Sequence, residues 1–229
     1  MLSVRAFSPA PVPAWALRRP KPWLQALYDL SGAPLRMVAL PDAASERLHL
    51  TSLRAERFAA VLPALRGRVL DVGAGDNALL RVYRQRAAAL GVDAAAADAS
   101  LGVDVVDWNA GCTLIRDAAS LPFEDASFDT VSFIACLNHI PNRRAALHEA
   151  HRVLKPGGRA VVTMISRLVG TIGHAIWWYS EDKHRDVKAD ELMGMADDEV
   201  VGALRDAGFG DVSIERFAYG LNRLYVAPR

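Results

Sequence analysis

Asp71, Gly73, Ala74 and Gly75 stand together in Val69-Leu70-Asp71-Val72-Gly73-Ala74-Gly75-Asp76-Asn77, an acid followed by a glycine-rich turn. The apolar residues Val69, Leu70 and Val72 predict a short buried parallel strand running into that turn. Gly73 and Gly75 let the backbone turn tightly and approach a ligand closely. Asp76 or Asn77 is placed to cap the helix expected next, whose apolar face is Leu79, Val82, Tyr83, Ala87 and Leu90. A ligand held here sits at the carboxyl end of the first strand, facing a helix N-terminus.

Gly73-x-Gly75-x-x-Ala78 also satisfies a dinucleotide fingerprint, which alone is a weak signal. Asp71 argues against that reading, because a fixed anion two residues before the turn repels a pyrophosphate. It suits a ligand with a cationic end, such as the sulfonium and ammonium of S-adenosylmethionine. The ribose of that ligand needs a carboxylate at the end of the second strand. Two segments compete for that strand. Val92 to Asp98 holds four consecutive alanines, which favour helix, whereas Leu101 to Val106 holds a valine cluster, which favours strand. Asp104, followed by Val105, is therefore preferred to Asp98, with Asp107 and Trp108 close to the adenine.

Further along, Asp117 and Ala118 follow a third strand over residues 112–116 and are placed to meet the adenine edge through a carboxylate and a backbone amide. Phe128 to Ala135 reads as a buried fourth strand that ends beside Ile134. His139 lies in the loop that follows, beside the cofactor's methionine portion. His139 and His174 are the candidate bases if the acceptor is a hydroxyl. Arg54 or Arg57 could meet the cofactor carboxylate from the preceding helix. Trp177, Trp178 and Tyr179 are candidate acceptor contacts, since three adjacent helical residues cannot all face the core. His148, Glu149 and His151 are one residue short of zinc-protease spacing and lack a third ligand, so no metal is expected. Cys112 and Cys136 fit structural thiols better than nucleophiles.

The elements that must position these residues alternate between strand and helix. A helix over Trp23–Leu30 and another over residues 45–65, shortened by Pro63, precede the first strand. A helix over about 142–154 ends at Lys155-Pro156-Gly157-Gly158, and a fifth strand follows over 159–165. Asp197 is expected to cap a helix through Leu204. Two last strands, near 211–217 and 221–227, form a hairpin at Tyr219-Gly220. Residues 1–44 read as a partly flexible N-terminal arm, with five prolines and no acid in the first 22 residues. Residues 166–195 read as a helical lid inserted into a domain spanning 45–229.

Composition narrows the class of partner. A net charge of +1 disfavours nucleic acid, and 52% hydrophobic residues suffice for one large core. With two cysteines and no apolar run long enough to span a bilayer, a cytoplasmic chain without a membrane partner is expected.

Three ordered motifs now stand on the chain: Val69-Leu70-Asp71-Val72-Gly73-Ala74-Gly75, then Leu121-Pro122-Phe123 with Ser127-Phe128-Asp129, then Arg152-Val153-Leu154-Lys155-Pro156-Gly157-Gly158. Over about residues 65–165 the chain resembles the class I S-adenosylmethionine-dependent methyltransferases, particularly the small-molecule branch that includes the ubiquinone-pathway enzymes. The resemblance implies an α/β, Rossmann-like, doubly wound seven-stranded sheet, mostly parallel, with an antiparallel last strand. It implies methyl transfer from S-adenosylmethionine to a small-molecule acceptor. It also implies a cofactor site at Asp71, Gly73, Ala74, Gly75, Asp104, Val105, Asp117, Ala118, Ile134 and His139. Two features depart from the family pattern. Asn77 stands where glycine is frequent, and the helix usually found between the second-strand acid and Asp117 has no room. A nicotinamide oxidoreductase and a non-catalytic S-adenosylmethionine-binding module are the alternatives.

Overall fold

Val69–Val72 forms β1, fully buried at the middle of the sheet, in the computed structural model, which describes residues 11–165 and 194–229. β2 (Leu101–Asp104) and β3 (Thr113–Leu114) extend the sheet on one side of β1. β4 (Phe128–Ile134) and β5 (Leu154–Ile165) extend it on the other, all in parallel. β6 (Ser213–Phe217) and β7 (Asn222–Pro228) complete the order β3-β2-β1-β4-β5-β7-β6, with β7 antiparallel to both neighbours. The chain winds outward from β1 to β3 and then returns to β4 beside β1. Their carboxyl ends therefore flank a crevice at the point where the winding reverses.

Strand alternation sorts the core into two layers. Leu70 and Val72 of β1, with Ala160, Val162 and Met164 of β5, face α6 (Arg143–Val153) and α7 (Asp197–Asp206). Val69 and Val161 face the opposite way, toward α3 (Leu53–Val61) and α4 (Ala78–Arg86). α6 is placed by Ala146, Leu147, Ala150 and Val153, all fully buried, and Asn142 caps it by accepting the Ala145 N–H.

Several boundaries differ from expectation, each for a local reason. The helix expected over 45–65 is broken into α2 (Asp42–Arg47) and α3. His49 between them has φ 57°, and the Ser52 hydroxyl starts α3 afresh by accepting the Ala55 N–H at 3.0 Å. α3 ends at Val61, and Pro63 lies in the 3₁₀ turn that follows. The alanine run forms α5 (Ala94–Asp98), capped by Asp93. β2 stops at Asp104 because that carboxylate takes the Val106 N–H at 3.0 Å and turns the chain. β3 is only Thr113–Leu114, at the exposed sheet edge. β5 starts at Leu154 rather than Arg159, with a register shift opposite Phe128 and Thr130. The cap position of α7 is Ala196, not Asp197. The Ala196 N–H donates to Glu199 at 2.7 Å, and the helix runs on to Asp206.

The segment expected as an N-terminal arm packs on the domain from Pro11 onward. Val12, Ala16 and Leu17 are buried against Phe58 and Leu62, and Trp15 stacks on His49 with centroids 4.6 Å apart. α1 (Trp23–Ser31) follows and ends at Gly32. His174, Trp177, Trp178 and Tyr179, with residues 166–193 of the expected lid, lie outside the described residues. Met195, just after them, is buried in the core.

Candidate active site

At the end of β1 the glycine turn is stitched to β2. The N–H groups of Gly73 and Ala74 both donate to the Val103 carbonyl, at 2.9 and 3.1 Å. The Gly75 N–H donates to Asp104 Oδ2 at 2.9 Å. Gly73 has φ +72°, and a Cβ there would stand 2.8 Å from Cys136 Cβ, so no side chain fits. Asn77 has φ 58°, in the left-handed region where glycine is easiest and asparagine tolerable. That explains both the glycine frequent in the family pattern and its replacement here. Asp76, not the Asn77 side chain, accepts the first helical N–H, from Ala78 at 3.0 Å.

Three carboxylates act on this one spot. Asp71 is 2% exposed and accepts the Ser132 hydroxyl at 2.7 Å. Burial pushes its carboxyl up to about 7, against the pull of the Ser132 hydrogen bond, and Asp104 and Asp76 add to the rise. The Cys112 thiol, whose Sγ lies 3.4 Å from the Gly75 carbonyl, is pushed up to about 11 by burial and then by the same three acids. A cation is favoured there and a pyrophosphate is not. The side-chain-free cradle at Gly73 and this acidic field fit S-adenosylmethionine.

The remaining predicted residues fall as follows. Asp104 lies at the end of β2 beside the glycine turn, whereas Asp98 is on α5. Val105 follows Asp104 and is exposed. The Ile115 N–H donates to the Asp104 carbonyl and leads the chain to Asp117 and Ala118. Asp117 Oδ1 accepts the Ala119 N–H at 2.9 Å, which turns the chain, and Ala118 is buried. Ile134 ends β4, and the next residue, Ala135, is tied to β5 through Thr163 Oγ1 at 3.0 Å. His139 closes a 3₁₀ turn over Leu137–His139, with Asn138 Nδ2 3.1 Å from its Nε2. Arg54 donates to both carboxylate oxygens of Glu46, at 3.2 and 3.0 Å.

Ser132 and Thr163 were not anticipated from the sequence. Each is a polar residue inside an apolar strand, and a buried hydroxyl needs a partner. Ser132 meets Asp71 because the two are in register across β1 and β4. The two later motifs prove to be structural. Arg152 donates to the carbonyls of Leu121 and Phe123 and to Glu149, while Lys155 pairs with Asp129 at 3.0 Å. They join the amino ends of the strands, away from the glycine turn. Glu149 is thereby occupied, and His151 packs edge-on against Phe209. Among the described residues no cluster of three metal-ligating side chains occurs.

The strand order, the single antiparallel strand and the acid-flanked glycine turn at the crevice define the class I S-adenosylmethionine-dependent methyltransferases, and the chain belongs to that family. The methyltransferase domain family matches residues 70–162. A protein of Bordetella parapertussis named ubiquinone/menaquinone biosynthesis C-methyltransferase is 30% identical over 192 residues, covering 75% of this chain and 73% of that protein. A demethylmenaquinone methyltransferase of Tropheryma whipplei is 30% identical over 184 residues, covering 70% and 74%. Among solved structures, a methyltransferase of Thermotoga maritima described as a possible histamine N-methyltransferase shares the fold, with TM-score 0.56 and 18% identity over 90% of this chain and 97% of that one. The chain transfers a methyl group from S-adenosylmethionine to a small-molecule acceptor.

Proposed function

We propose that the acceptor is a quinone-type ring, methylated at carbon in its reduced form. The observation that carries this reading is the match, along about three quarters of each chain, to relatives named as quinone-pathway C-methyltransferases. Asp104 would hold the ribose hydroxyls, Asp71 the cationic end through its field, and the Gly73–Gly75 backbone the space between. Asp117 and Ala118 would meet the adenine, and Ile134 the methionine side. When bound, the cofactor supplies a methyl on a sulfonium, an activated donor that leaves the protein mainly the task of alignment. His139 is assigned the proton that the acceptor releases when its ring carbon gains the methyl. Asn138 Nδ2 lies 3.1 Å from its Nε2 and holds the ring in place. The two cysteines form no disulfide, which suits a reduced cytoplasmic setting.

Incubating the full chain with S-adenosylmethionine and a reduced 2-prenyl-1,4-naphthoquinol tests the reading. Mass spectrometry and carbon NMR are expected to show one methyl on a ring carbon. A methyl found on oxygen, or no product from naphthoquinols and benzoquinols alike, would overturn it. His139→Asn is expected to slow turnover by a larger factor than it weakens cofactor affinity measured by calorimetry.

A further inference from the structure

α1 is packed with its polar side inward. Asp29, 0% exposed, accepts the Thr51 N–H at 2.8 Å, the Lys21 ammonium at 2.6 Å and the Gln25 amide at 3.0 Å. Arg36, 1% exposed, donates to the Asp29 and Thr51 carbonyls and to Glu56. The outward side carries Trp23, Leu24, Leu27, Tyr28 and Leu30, with Leu35 just beyond, and Trp23 is 73% exposed. At about 100° per residue the five helical positions span an arc of about 160°, one continuous stripe. Scattered exposed leucines mean little, but a joined face of tryptophan, tyrosine and leucine marks a contact surface.

Within residues 11–47 the exposed charge is one-sided. Asp29, Glu46 and Glu56 all point inward, to Lys21, Arg54 and Arg36, and Asp42 accepts the Arg54 N–H. Arg18, Arg19 and Arg47 are the exposed charged residues flanking the face within residues 11–47, and Arg19 pairs with Glu215. The face also borders the edge of the sheet where the site opens. α3 leads by a short turn to the amino end of β1, so its Ser52 end lies at the carboxyl edge. Arg36 donates to the Tyr219 hydroxyl at 2.7 Å, in the turn between β6 and β7. That turn is on the same edge, because Asn222 pairs with Ile165 at the end of β5.

We propose that the outward face of α1 seats on the surface of an anionic lipid bilayer, its aromatic and leucyl side chains entering the headgroup boundary and the flanking arginines meeting acidic lipids. This is a peripheral contact, distinct from spanning: among the described residues no helix is long and apolar enough to cross a membrane. It stands independently of the acceptor's identity, since vesicle binding is read without turnover.

The test is co-sedimentation of the full chain with vesicles of phosphatidylcholine alone and of phosphatidylcholine mixed with phosphatidylglycerol. The expected result is binding to the mixed vesicles about tenfold tighter than to the neutral ones, weakened by high salt. Trp23→Ser combined with Leu27→Ser should weaken it by about tenfold or more. Arg18→Glu with Arg47→Glu should remove the preference for the anionic lipid. None of these residues belongs to the cofactor site, so an unchanged thermal shift with S-adenosylmethionine verifies that the variants fold. Failure of the parental protein to bind either vesicle would overturn the proposal, as would equal binding by the Trp23→Ser/Leu27→Ser variant. A dimer that binds no vesicles and is dissociated by that variant would assign the face to a second copy instead.

Discussion

α6 and α1 are helices of similar length that pack in opposite senses. α6 turns Ala146, Leu147, Ala150 and Val153 inward, and its polar residues outward. α1 turns Asp29 inward and leaves Trp23, Leu24 and Leu27 outside. The difference shows that periodicity marks the two faces of a helix without saying which is inside. Removal of apolar area from water decides the matter for α6. For α1 it is decided by partners elsewhere in the chain: Lys21 and Thr51 satisfy the buried Asp29 carboxylate, and Arg36 donates to the Asp29 carbonyl. The active site combines both modes: apolar strands carry it, and buried polar groups set its turn.

The largest effect that follows concerns Arg36. Arg36→Met keeps the volume and removes the cation that serves Glu56, two carbonyls and Tyr219. Breaking a buried ionic network in this way costs about 3–5 kcal/mol. Urea denaturation should record that loss, with protease cleavage appearing first within residues 11–52. A loss under about 1 kcal/mol would show that α1 is held by apolar contact after all, and would erase the contrast with α6.

Next in size is Asp104, whose carboxylate accepts the Gly75 and Val106 N–H groups. Asp104→Ala is expected to weaken S-adenosylmethionine by about 1.5–3 kcal/mol, the scale of hydrogen bonds to a charged group. Asp98→Ala, on the surface helix α5, should change affinity by less than about 0.5 kcal/mol. Calorimetry that reversed this ranking would remove Asp104 from the ribose site.

These cases show what was legible in the sequence and why. Buried parallel strands were readable because runs such as Val131-Ser132-Phe133-Ile134 have few other uses, and the alanine run against the valine cluster separated α5 from β2. Element ends were less readable, because they depend on single side chains such as Asp104 and Ser52 turning back to the backbone. Asp71 was visible as an acid beside a glycine turn, but its partner Ser132 depends on register across strands far apart in sequence. The pairing of Arg54 with Glu46 was not readable, because Glu46 lies on a helix the sequence merged with its own. The orientation of α1 was hidden for the same reason: its determinants are contacts, not pattern.

The smallest expected effect tests the buried carboxylate at the site. Asp71 ordinarily titrates at 3.8, and burial raises it to about 7, with Asp104 and Asp76 contributing. The folded chain therefore keeps a proton that the unfolded chain has released. Its contribution to stability is whole below 3.8 and is lost as pH rises through about 7. Binding of a cation runs the other way, because it favours the ionised carboxylate. Affinity for S-adenosylmethionine should rise about five- to tenfold between about pH 6 and pH 7.5, the change expected when only the form ionised near 7 binds well. A proton should be released on binding, read by calorimetry in two buffers of different ionisation enthalpy. Asp71→Asn keeps an acceptor for the Ser132 hydroxyl and loses the charge, so it should flatten the profile near its low-pH level. If the slope survives in Asp71→Asn, another group carries it, and Asp71 serves only to hold β4 against β1.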